Sequence, residues 1–287
     1  WGEWIGDPNR SADIEVTTAL NDVFGNYIYN VAITEAAPYY AGDVINITWS
    51  SVGVTDVSIY AMIGTDVEGD LFTSTPSDGA EAFTIPTDAY GTNLYLRVSS
   101  LTDSVLVFAN SSTFDVIGTP TIYEIQSNTT DGDLSVYDGA KVKVSGIVTA
   151  VKGSNFWIQM PAGAPDYPQW SGIFGYDAGL AAAVVMGDEI TIEATIDEYF
   201  NATEIVNVTS YTINSQGNFL DPTLVSALDA VEPYESTLIS MENAEVMTAP
   251  NTYGEFNIND CLSAVVYFNT HHSHQAGHES VGKPVDC

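Results

Sequence analysis

All four histidines of this chain lie in one run near its C-terminus, from His271 to His278. On an extended segment His272 and His274 fall on the same face, two residues apart, which suits chelation of one ion. Imidazole nitrogens favour Zn²⁺ or Cu²⁺, and a turn at Gly277 would return a third ligand. The run therefore predicts a transition-metal site with these candidate ligands: His271, His272, His274, His278 and Glu279. A solvated loop between two cysteines is the alternative.

Two clusters of carboxylates predict a second kind of metal site. The first comprises Asp66, Glu68 and Asp70, and the second comprises Asp131, Asp133 and Asp138. We expect both to lie in turns, where oxygen ligands on short loops suit Ca²⁺. Neither matches the EF-hand loop, and solvated carboxylates are the alternative for each. No motif for an organic cofactor is present.

The sequence lacks the usual motifs for nucleophilic catalysis. No histidine lies near a serine in a Gly-x-Ser-x-Gly setting, no phosphate-binding loop occurs, and haem attachment would need a Cys-x-x-Cys-His motif. A glycosidase-type carboxylate pair would have to come from 38 acidic residues, and nothing in the sequence selects two of them. We therefore predict no catalytic residues and no enzymatic activity.

Net charge limits the partners of the chain more strongly than any motif. Against 38 acidic residues stand six basic ones, a net charge of −32. Nucleic-acid binding needs a clustered Lys/Arg face, so the charge argues against it. Self-repulsion on this scale would be relieved by salt or divalent cations, which points to an extracellular or cell-surface location. The chain starts at Trp1, so we expect that a leader has been removed, and no apolar run is long enough to span a membrane.

Two further features fit an exported protein. Cys261 and Cys287 are the only cysteines, and a disulfide between them is the default expectation outside the cytoplasm. Asn-x-Ser/Thr sequons, which arise by chance in a chain rich in these residues or mark exposed glycosylation sites, occur at Asn9, Asn46, Asn110, Asn128, Asn201 and Asn207.

Residues 1–30 are predicted to form an arm rather than a domain. The first residues are too apolar for a solvated tail, and a later stretch alternates like a short strand. The residues of this assembly arm are Trp1, Trp4, Ile5, Ile14 and Val16. Two readings stay open: the arm adds an edge strand to its own molecule, or it donates a strand to a neighbour.

Residues 31–118 carry the pattern of an immunoglobulin-like β-sandwich. Apolar residues alternate in short runs separated by glycine and aspartate turns at Gly42-Asp43, Gly53, Gly69-Asp70, Asp78-Gly79, Gly91 and Asp103. The runs Ala41-Gly-Asp-Val-Ile-Asn-Ile-Thr-Trp-Ser50, Val57-Ser-Ile-Tyr60, Thr84-Ile-Pro86 and Leu96-Arg-Val-Ser-Ser100 resemble the Ser/Thr-rich cell-surface module named for fungal cell-wall proteins. The resemblance implies a non-catalytic surface spacer.

Residues 119–217 predict a five-stranded barrel of the OB type. Gly118-Thr-Pro120 is the predicted linker before it, Gly146 suits a bulge or bend in a long first strand, and an apolar insertion (Ala178 to Met186) separates the third and fourth strands. The runs Val142-Lys-Val-Ser-Gly-Ile-Val-Thr-Ala-Val151, Phe156-Trp-Ile-Gln159 and Gly187-Asp-Glu-Ile-Thr-Ile192 resemble OB-like modules of secreted bacterial nucleases and related surface enzymes. The charge favours a scaffold over a nucleic-acid binder.

Residues 218–287 resemble the start of a second OB-like module. Tyr234-Glu-Ser-Thr-Leu-Ile-Ser240 and Asn251-Thr-Tyr-Gly-Glu-Phe-Asn-Ile258 would be its opening strands, and Val265-Val-Tyr-Phe268 its third. We expect a truncated module that ends in the His-rich, Cys-closed tail. It is either stapled by the disulfide or left with an edge that takes a strand from another subunit.

Taken together, the sequence predicts an all-β, exported structural protein. Its copies would form a cell-surface or extracellular filament by strand exchange, with metal ions as a candidate aid and cell-surface glycans as candidate partners. Two alternatives stay open. One is the accessory region of a secreted, nuclease-type hydrolase, and the other is a metal-binding surface protein.

Overall fold

Strands dominate the protein, and the prediction of an all-β fold is confirmed. The computed structural model describes residues 25–127, 134–165, 167–200, 202–226, 230, 232–242 and 247–249, together with the strand backbones of 255–258, 262–266 and 279–281. The chain divides into two compact units, Trp1–Val116 and Ile117–Cys287. No helix among the described residues is long and apolar enough to cross a bilayer.

The first unit is a β-sandwich. One sheet has the order β1-β3-β6, formed by β1 (Tyr27–Ile33), β3 (Val44–Val52) and β6 (Ala80–Thr84). The other has the order β2-β9-β7-β4-β5, with β8 also paired to β7. Its strands are β2 (Tyr39–Tyr40), β4 (Asp56–Ile63), β5 (Asp66–Pro76), β7 (Gly91–Ser100), β8 (Phe108–Asn110) and β9 (Phe114–Ile117). Because β1 begins at Tyr27, residues 27–30 belong to the sandwich and not to the arm.

Alternating residues of these strands form the sandwich core, as the period-two pattern predicts. Ile45, Ile47 and Trp49 are buried on β3, and they share one cluster with Val57 and Ile59 of β4. Leucine and valine residues of β7 complete the centre of this cluster. Burial on one face of each strand fixes the register, because a slip of one residue would expose the whole set.

Two predicted turns are wrong. Gly69-Asp70 lies inside β5 and Gly91 begins β7, while the chain turns between β4 and β5 at Gly64, whose φ is +57°. The pairing of β4 with β5 shifts register between Ala61 and Met62. Such irregularities let a strand run through a glycine that the sequence pattern marks as a turn.

Five strands of the second unit close into a barrel with the order β10-β11-β12-β14-β13. They are β10 (Lys141–Lys152), β11 (Asn155–Gln159), β12 (Gly172–Tyr176), β13 (Glu189–Tyr199) and β14 (Ala202–Ser215). Pairing is antiparallel except between β12 and β14, which are parallel. Helix α1 (Ile122–Gln126) precedes the barrel, and the predicted apolar insertion contains helix α2 (Ala178–Ala183).

The long strand β10 pairs with β13 in its first half and with β11 in its second. The register shift in the second half lies between Val148 and Ala150, so the irregular pairing does not sit at Gly146. A Cβ at Gly146 would lie 3.0 Å from Ile122 Cδ1 and 3.1 Å from the Gln159 carbonyl oxygen. Close packing of α1 against the barrel therefore explains this glycine.

The predicted linker is part of the second unit's pairing. The Gly118 N–H donates to the Lys141 carbonyl (3.1 Å), and the Lys143 N–H donates to the Gly118 carbonyl (2.7 Å). Gly118 thus forms a parallel bridge with Val142 of β10. The predicted linker is therefore hydrogen-bonded to the barrel from its first residue, Gly118.

A third sheet follows the barrel with the order β15-β16-β19-β18-β17. Its strands are β15 (Thr223–Leu224), β16 (Leu238–Ser240), β17 (Glu255–Ile258), β18 (Leu262–Val266) and β19 (Glu279–Val281). Buried Gln159 joins barrel and sheet: its Oε1 accepts from the Leu238 N–H (2.8 Å), and its Nε2 donates to Ser171 Oγ (3.0 Å). Gly172 lies against the Ser236 backbone, where a Cβ would clash at 2.2 Å.

Candidate functional site

One row of side chains crosses four strands on the outer surface of the barrel. Trp157 of β11 is paired with Phe174 of β12, Phe174 with Glu204 of β14, and Glu204 with Asp197 of β13. Their sequence neighbours Phe156, Ile173, Ile196 and Ile205 are fully buried in the barrel core. Because successive side chains of a strand point to opposite faces, the row faces outward. Two aromatic rings are thus followed by two carboxylates.

The two aromatic rings of the row, those of Trp157 and Phe174, pack against each other. The ring centroids of Trp157 and Phe174 lie 5.2 Å apart at an interplanar angle of 58°, within the range for favourable aromatic pairs. Trp157 is buried and Phe174 is partly exposed. On the same face of β12, Tyr176 is 57% exposed. The aromatic surface that solvent can reach is therefore made by Phe174 and Tyr176.

In the carboxylate half, the surroundings of Glu204 disfavour its charged form. Glu204 is only 9% exposed, and among the described residues no donor hydrogen-bonds to its carboxylate. Burial, and secondarily the nearby charge of Asp197, raise the pKa of Glu204. Both causes act against the charged form of Glu204, so a positive group at this position would be stabilised.

A different carboxylate, that of Glu198 at the end of β13, is hydrogen-bonded on one of its two oxygens. Its Oε1 accepts from the Ser135 N–H (2.8 Å) and from Thr203 Oγ1 (2.7 Å). Its Oε2 is buried without a partner among the described residues. Buried polar atoms of this kind are commonly satisfied by an ordered water, and Glu198 ties the segment before the barrel to the β13–β14 hairpin.

Edge strands are the second candidate site, because the predicted assembly depends on them. β6 pairs with β3 in continuous register from Ala80 to Thr84, and no described strand pairs with its other side. Other edges of the sandwich are blunted. β1 has a register shift near Asn30, β2 has two residues, and β5 carries exposed carboxylates and ends at Pro76. β6 is therefore the most regular open edge of the sandwich.

Apolar side chains are also exposed at two hairpin tips. Val105 and Leu106 lie between β7 and β8. Tyr199 ends β13, Phe200 follows it in the turn to β14, and their rings are stacked edge to face with centroids 4.6 Å apart. Phe200 is 82% exposed. Each pair is small, and it is larger contiguous apolar patches that are typical of surfaces that meet a partner.

The described residues of the second unit also form a small apolar crevice of about 30 Å³. Its walls include Ile147 of β10, Met186, Leu220 and Leu238. A void of this size holds about one water molecule or little more, so it is too small for an organic ligand.

Six of the eleven predicted metal ligands lie outside the part of the chain that the structure describes. His271, His272, His274 and His278 lie outside the described residues, as do Asp131, Asp133, Cys261 and Cys287. For Glu279 only the backbone is described, in β19, and Asp138 lies in a turn before β10. The transition-metal site, the second calcium cluster and the disulfide therefore stay predictions.

The first calcium cluster is different, because all three residues are described. Asp66, Glu68 and Asp70 lie in strand β5 and not in a turn, and all are exposed. Asp66 pairs with Ile63 of β4 and Asp70 pairs with Tyr60, and the register shift between these pairs puts the two carboxylates on opposite faces of the sheet. Among the described residues no group of three or more His, Cys, Asp or Glu side chains could hold a metal ion. The turn assumed for this cluster was wrong, and the strand spreads its carboxylates along an edge.

The sequons and the arm are described only in part. Asn46, Asn110 and Asn207 lie on strands and are exposed, although the Asn46 amide donates to Glu35. The other sequons, Asn9, Asn128 and Asn201, lie outside the described residues, as does the assembly arm of Trp1, Trp4, Ile5, Ile14 and Val16.

No family model, curated protein or solved structure matches this chain. Its function has to be inferred from its own residues.

Sequence reasoning missed Asp197 and Glu204. Both appear in the sequence as ordinary polar positions of alternating strands, and nothing distinguishes them from the other acidic residues. Their pairing depends on the register of the β13–β14 hairpin, in which Tyr199 is paired with Ala202. The turn residue Phe200, at φ +50°, gives no sequence signal of that register, because bulky residues rarely adopt positive φ.

Proposed function

We propose that this protein is an exported, non-catalytic structural protein whose copies assemble into an extracellular filament by exchanging β-strands. The observation that carries the proposal is the edge of β6, which is regular in register and is not paired with any described strand on its other side. Natural β-proteins usually protect such edges, because exposed backbone N–H and C=O groups pair readily with another chain.

The margin of the sandwich core contains two aromatic rings that are only partly buried. Phe83 of β6 and Phe72 of β5 pack edge to face with centroids 6.0 Å apart, and both are only partly buried at the margin of the core. A strand added next to β6 would extend the sheet and bring apolar side chains over these rings. Covering them would add hydrophobic stabilisation of about 25 cal/mol per Å² to the new backbone hydrogen bonds.

The arm of a neighbouring copy is the proposed donor. Its stretch Asp13-Ile-Glu-Val-Thr17 alternates apolar and polar residues, which suits a strand with one face toward a core. The 24 residues before the first described residue can extend to roughly 80 Å at about 3.3–3.6 Å per residue. That reach is sufficient to bridge two molecules.

The architecture also supports a scaffold role. We assign the first unit to the immunoglobulin-like sandwiches and the barrel to the OB type. The barrel's five strands, parallel β12–β14 pair and helix between the third and fourth strands support the second assignment. Both are rigid β bodies that suit serial repetition in a filament.

The test compares full-length protein with the double variant Ile14→Ser/Val16→Ser in negative-stain microscopy and light scattering. Wild-type protein should form filaments in high salt, and the variant should stay monomeric because it cannot cover the rings beside β6. Thr17→Ser/Thr18→Ser is the matched control and should assemble normally. Monodisperse wild-type particles under all ionic conditions, with and without chelator, would refute the proposal.

A further inference from the structure

We propose that the outer face of the barrel binds an organic cation, an ammonium group held between Phe174, Glu204 and Asp197. The site, called here the cation face, comprises these three residues and Tyr176. It goes beyond the proposed function, because assembly through β6 makes no use of it.

Strand register brings the four side chains together. Phe174 and Glu204 are paired across the parallel strands β12 and β14, and Glu204 and Asp197 are paired across the β13–β14 hairpin. Neighbouring strands lie about 4.8 Å apart, so the row from Phe174 to Asp197 spans roughly 10 Å. Tyr176 is two residues along β12 from Phe174 and shares its face. A small ligand can touch a ring and a carboxylate at once.

The carboxylates determine the sign of the ligand. Glu204 is nine-tenths buried and receives no hydrogen bond from any described residue. None of the four basic residues that the structure describes (Arg97, Lys141, Lys143 and Lys152) is among the charges that act on Glu204. An anion is therefore excluded by repulsion, and a bound cation would offset both the desolvation of Glu204 and the repulsion from Asp197.

The aromatic neighbours distinguish an organic cation from a metal ion. Ca²⁺ takes six to eight oxygen ligands, whereas the described residues offer two carboxylates here and no cluster of three. A ring face attracts ammonium groups through its quadrupole, and Phe174 is held in place by its contact with Trp157. An alkylammonium can use the ring and both carboxylates.

The charge of the whole chain favours the same ligand. A net charge of −32 raises the local concentration of cations around the protein and speeds their encounter with an acidic face. Salt screens this attraction with a Debye length of about 8 Å near physiological ionic strength. Binding should therefore weaken in high salt.

Titration calorimetry on the full chain tests the site with three probes: tetramethylammonium, spermidine and a Gly-Lys-Gly peptide. All carry a positively charged nitrogen, but the first two stand for small organic cations and the third for a lysine side chain of a partner protein. Binding of the peptide alone assigns the source to a protein, and binding of the small cations assigns it to small molecules. Either result supports the proposal.

Three variants distinguish binding at the cation face from general electrostatic attraction to an acidic protein. Glu204→Gln should weaken binding about tenfold, as expected for loss of one charge-assisted contact. Phe174→Leu should also weaken it while keeping an apolar side chain on β12. Glu68→Gln removes the same charge from an exposed position of β5 in the other unit and should leave binding unchanged.

Three outcomes would overturn the proposal. One is equal weakening by Glu204→Gln and Glu68→Gln, which would mean diffuse attraction only. Another is Ca²⁺ binding lost in Glu204→Gln with no ammonium binding in wild type. The last is binding of a neutral oligosaccharide that depends on Phe174 but not on Glu204. Circular dichroism of each variant verifies that the fold is kept.

Discussion

At the scale of single residues, two buried polar side chains have roles that the sequence pattern does not indicate. Glu204 and Gln159 are both at most 9% exposed, yet their surroundings differ. Gln159 uses its amide oxygen and nitrogen in hydrogen bonds, whereas Glu204 has none within the described part of the chain. Gln159 joins the barrel to the third sheet, whereas Glu204 lies on the outer face of the barrel, where burial and Asp197 disfavour its charged form.

Replacing Glu204 should change the pH dependence of stability. Its folded-state pKa is raised from the ordinary 4.5, so the folded state binds more protons than the unfolded state just above that pH. Wild-type stability therefore falls as pH rises through the folded pKa. Glu204→Gln should be more stable than wild type at pH 7, with the difference vanishing below about pH 4.5.

Thermal unfolding of both proteins from acid to neutral pH measures this difference. Glu68→Gln controls for the general loss of one negative charge, because Glu68 is exposed. A Glu204→Gln protein that is less stable than wild type at pH 7 would show that the carboxylate is stabilised in the fold, contrary to its burial beside Asp197.

Gln159→Leu tests the joint between the barrel and the third sheet. The substitution leaves the Leu238 N–H without its buried acceptor, which should cost about 1–3 kcal/mol, and hydrogen exchange at Leu238 should accelerate. Gln169→Leu is the control, since Gln169 is exposed and makes only a 3.5 Å contact with Tyr234. Unchanged exchange at Leu238 would mean that the sheet is held by other contacts.

At the scale of elements, glycines decide how closely the strands pack. Gly175 of β12 lies opposite Phe156, and a Cβ there would fall 2.1 Å from the Phe156 ring. Phe156 is fully buried in the barrel core. This glycine therefore leaves the space that a large core side chain occupies.

Gly175→Ala should destabilise the barrel by about 1–3 kcal/mol, the usual effect of overpacking. Gly69→Ala is the matched control, because Gly69 also lies in a strand but has open space around its Cβ position. Denaturant unfolding of both variants measures the difference. Adding Phe156→Leu should recover part of the loss, and an unchanged Gly175→Ala protein would show that the ring moves aside freely.

Strands could be predicted from the sequence where buried residues alternate with exposed ones. Contacts between strands could not be predicted, because they depend on the register of pairing. Alternation of Ile45, Ile47 and Trp49 predicted β3 correctly, because one face of that strand is buried. The turn predicted at Gly69-Asp70 was wrong, because a glycine also occurs inside a strand when the backbone there stays extended. The facing of Asp197 and Glu204 could not be read from sequence, since it follows from hairpin geometry and not from local pattern.

At the scale of the whole molecule, the large net charge opposes folding through self-repulsion. With −32 charges on 287 residues, compaction brings like charges together, and salt should offset the repulsion. We expect the thermal midpoint to rise by several degrees between low salt and molar NaCl. At equal ionic strength CaCl₂ should give a further rise if carboxylates bind Ca²⁺, and a midpoint that falls with NaCl would contradict this electrostatic explanation.

The parallel bridge between Gly118 and Val142 has a mechanical consequence. Gly118 precedes the barrel in the chain and is held beside β10 by two backbone hydrogen bonds. Its N–H donates to the Lys141 carbonyl, and its carbonyl accepts from the Lys143 N–H. Tension applied through the N-terminal side would load both bonds in shear, together, and not peel them one after the other. Pulling on a string of such molecules would therefore be resisted at the entrance of each barrel before any core strand is disturbed.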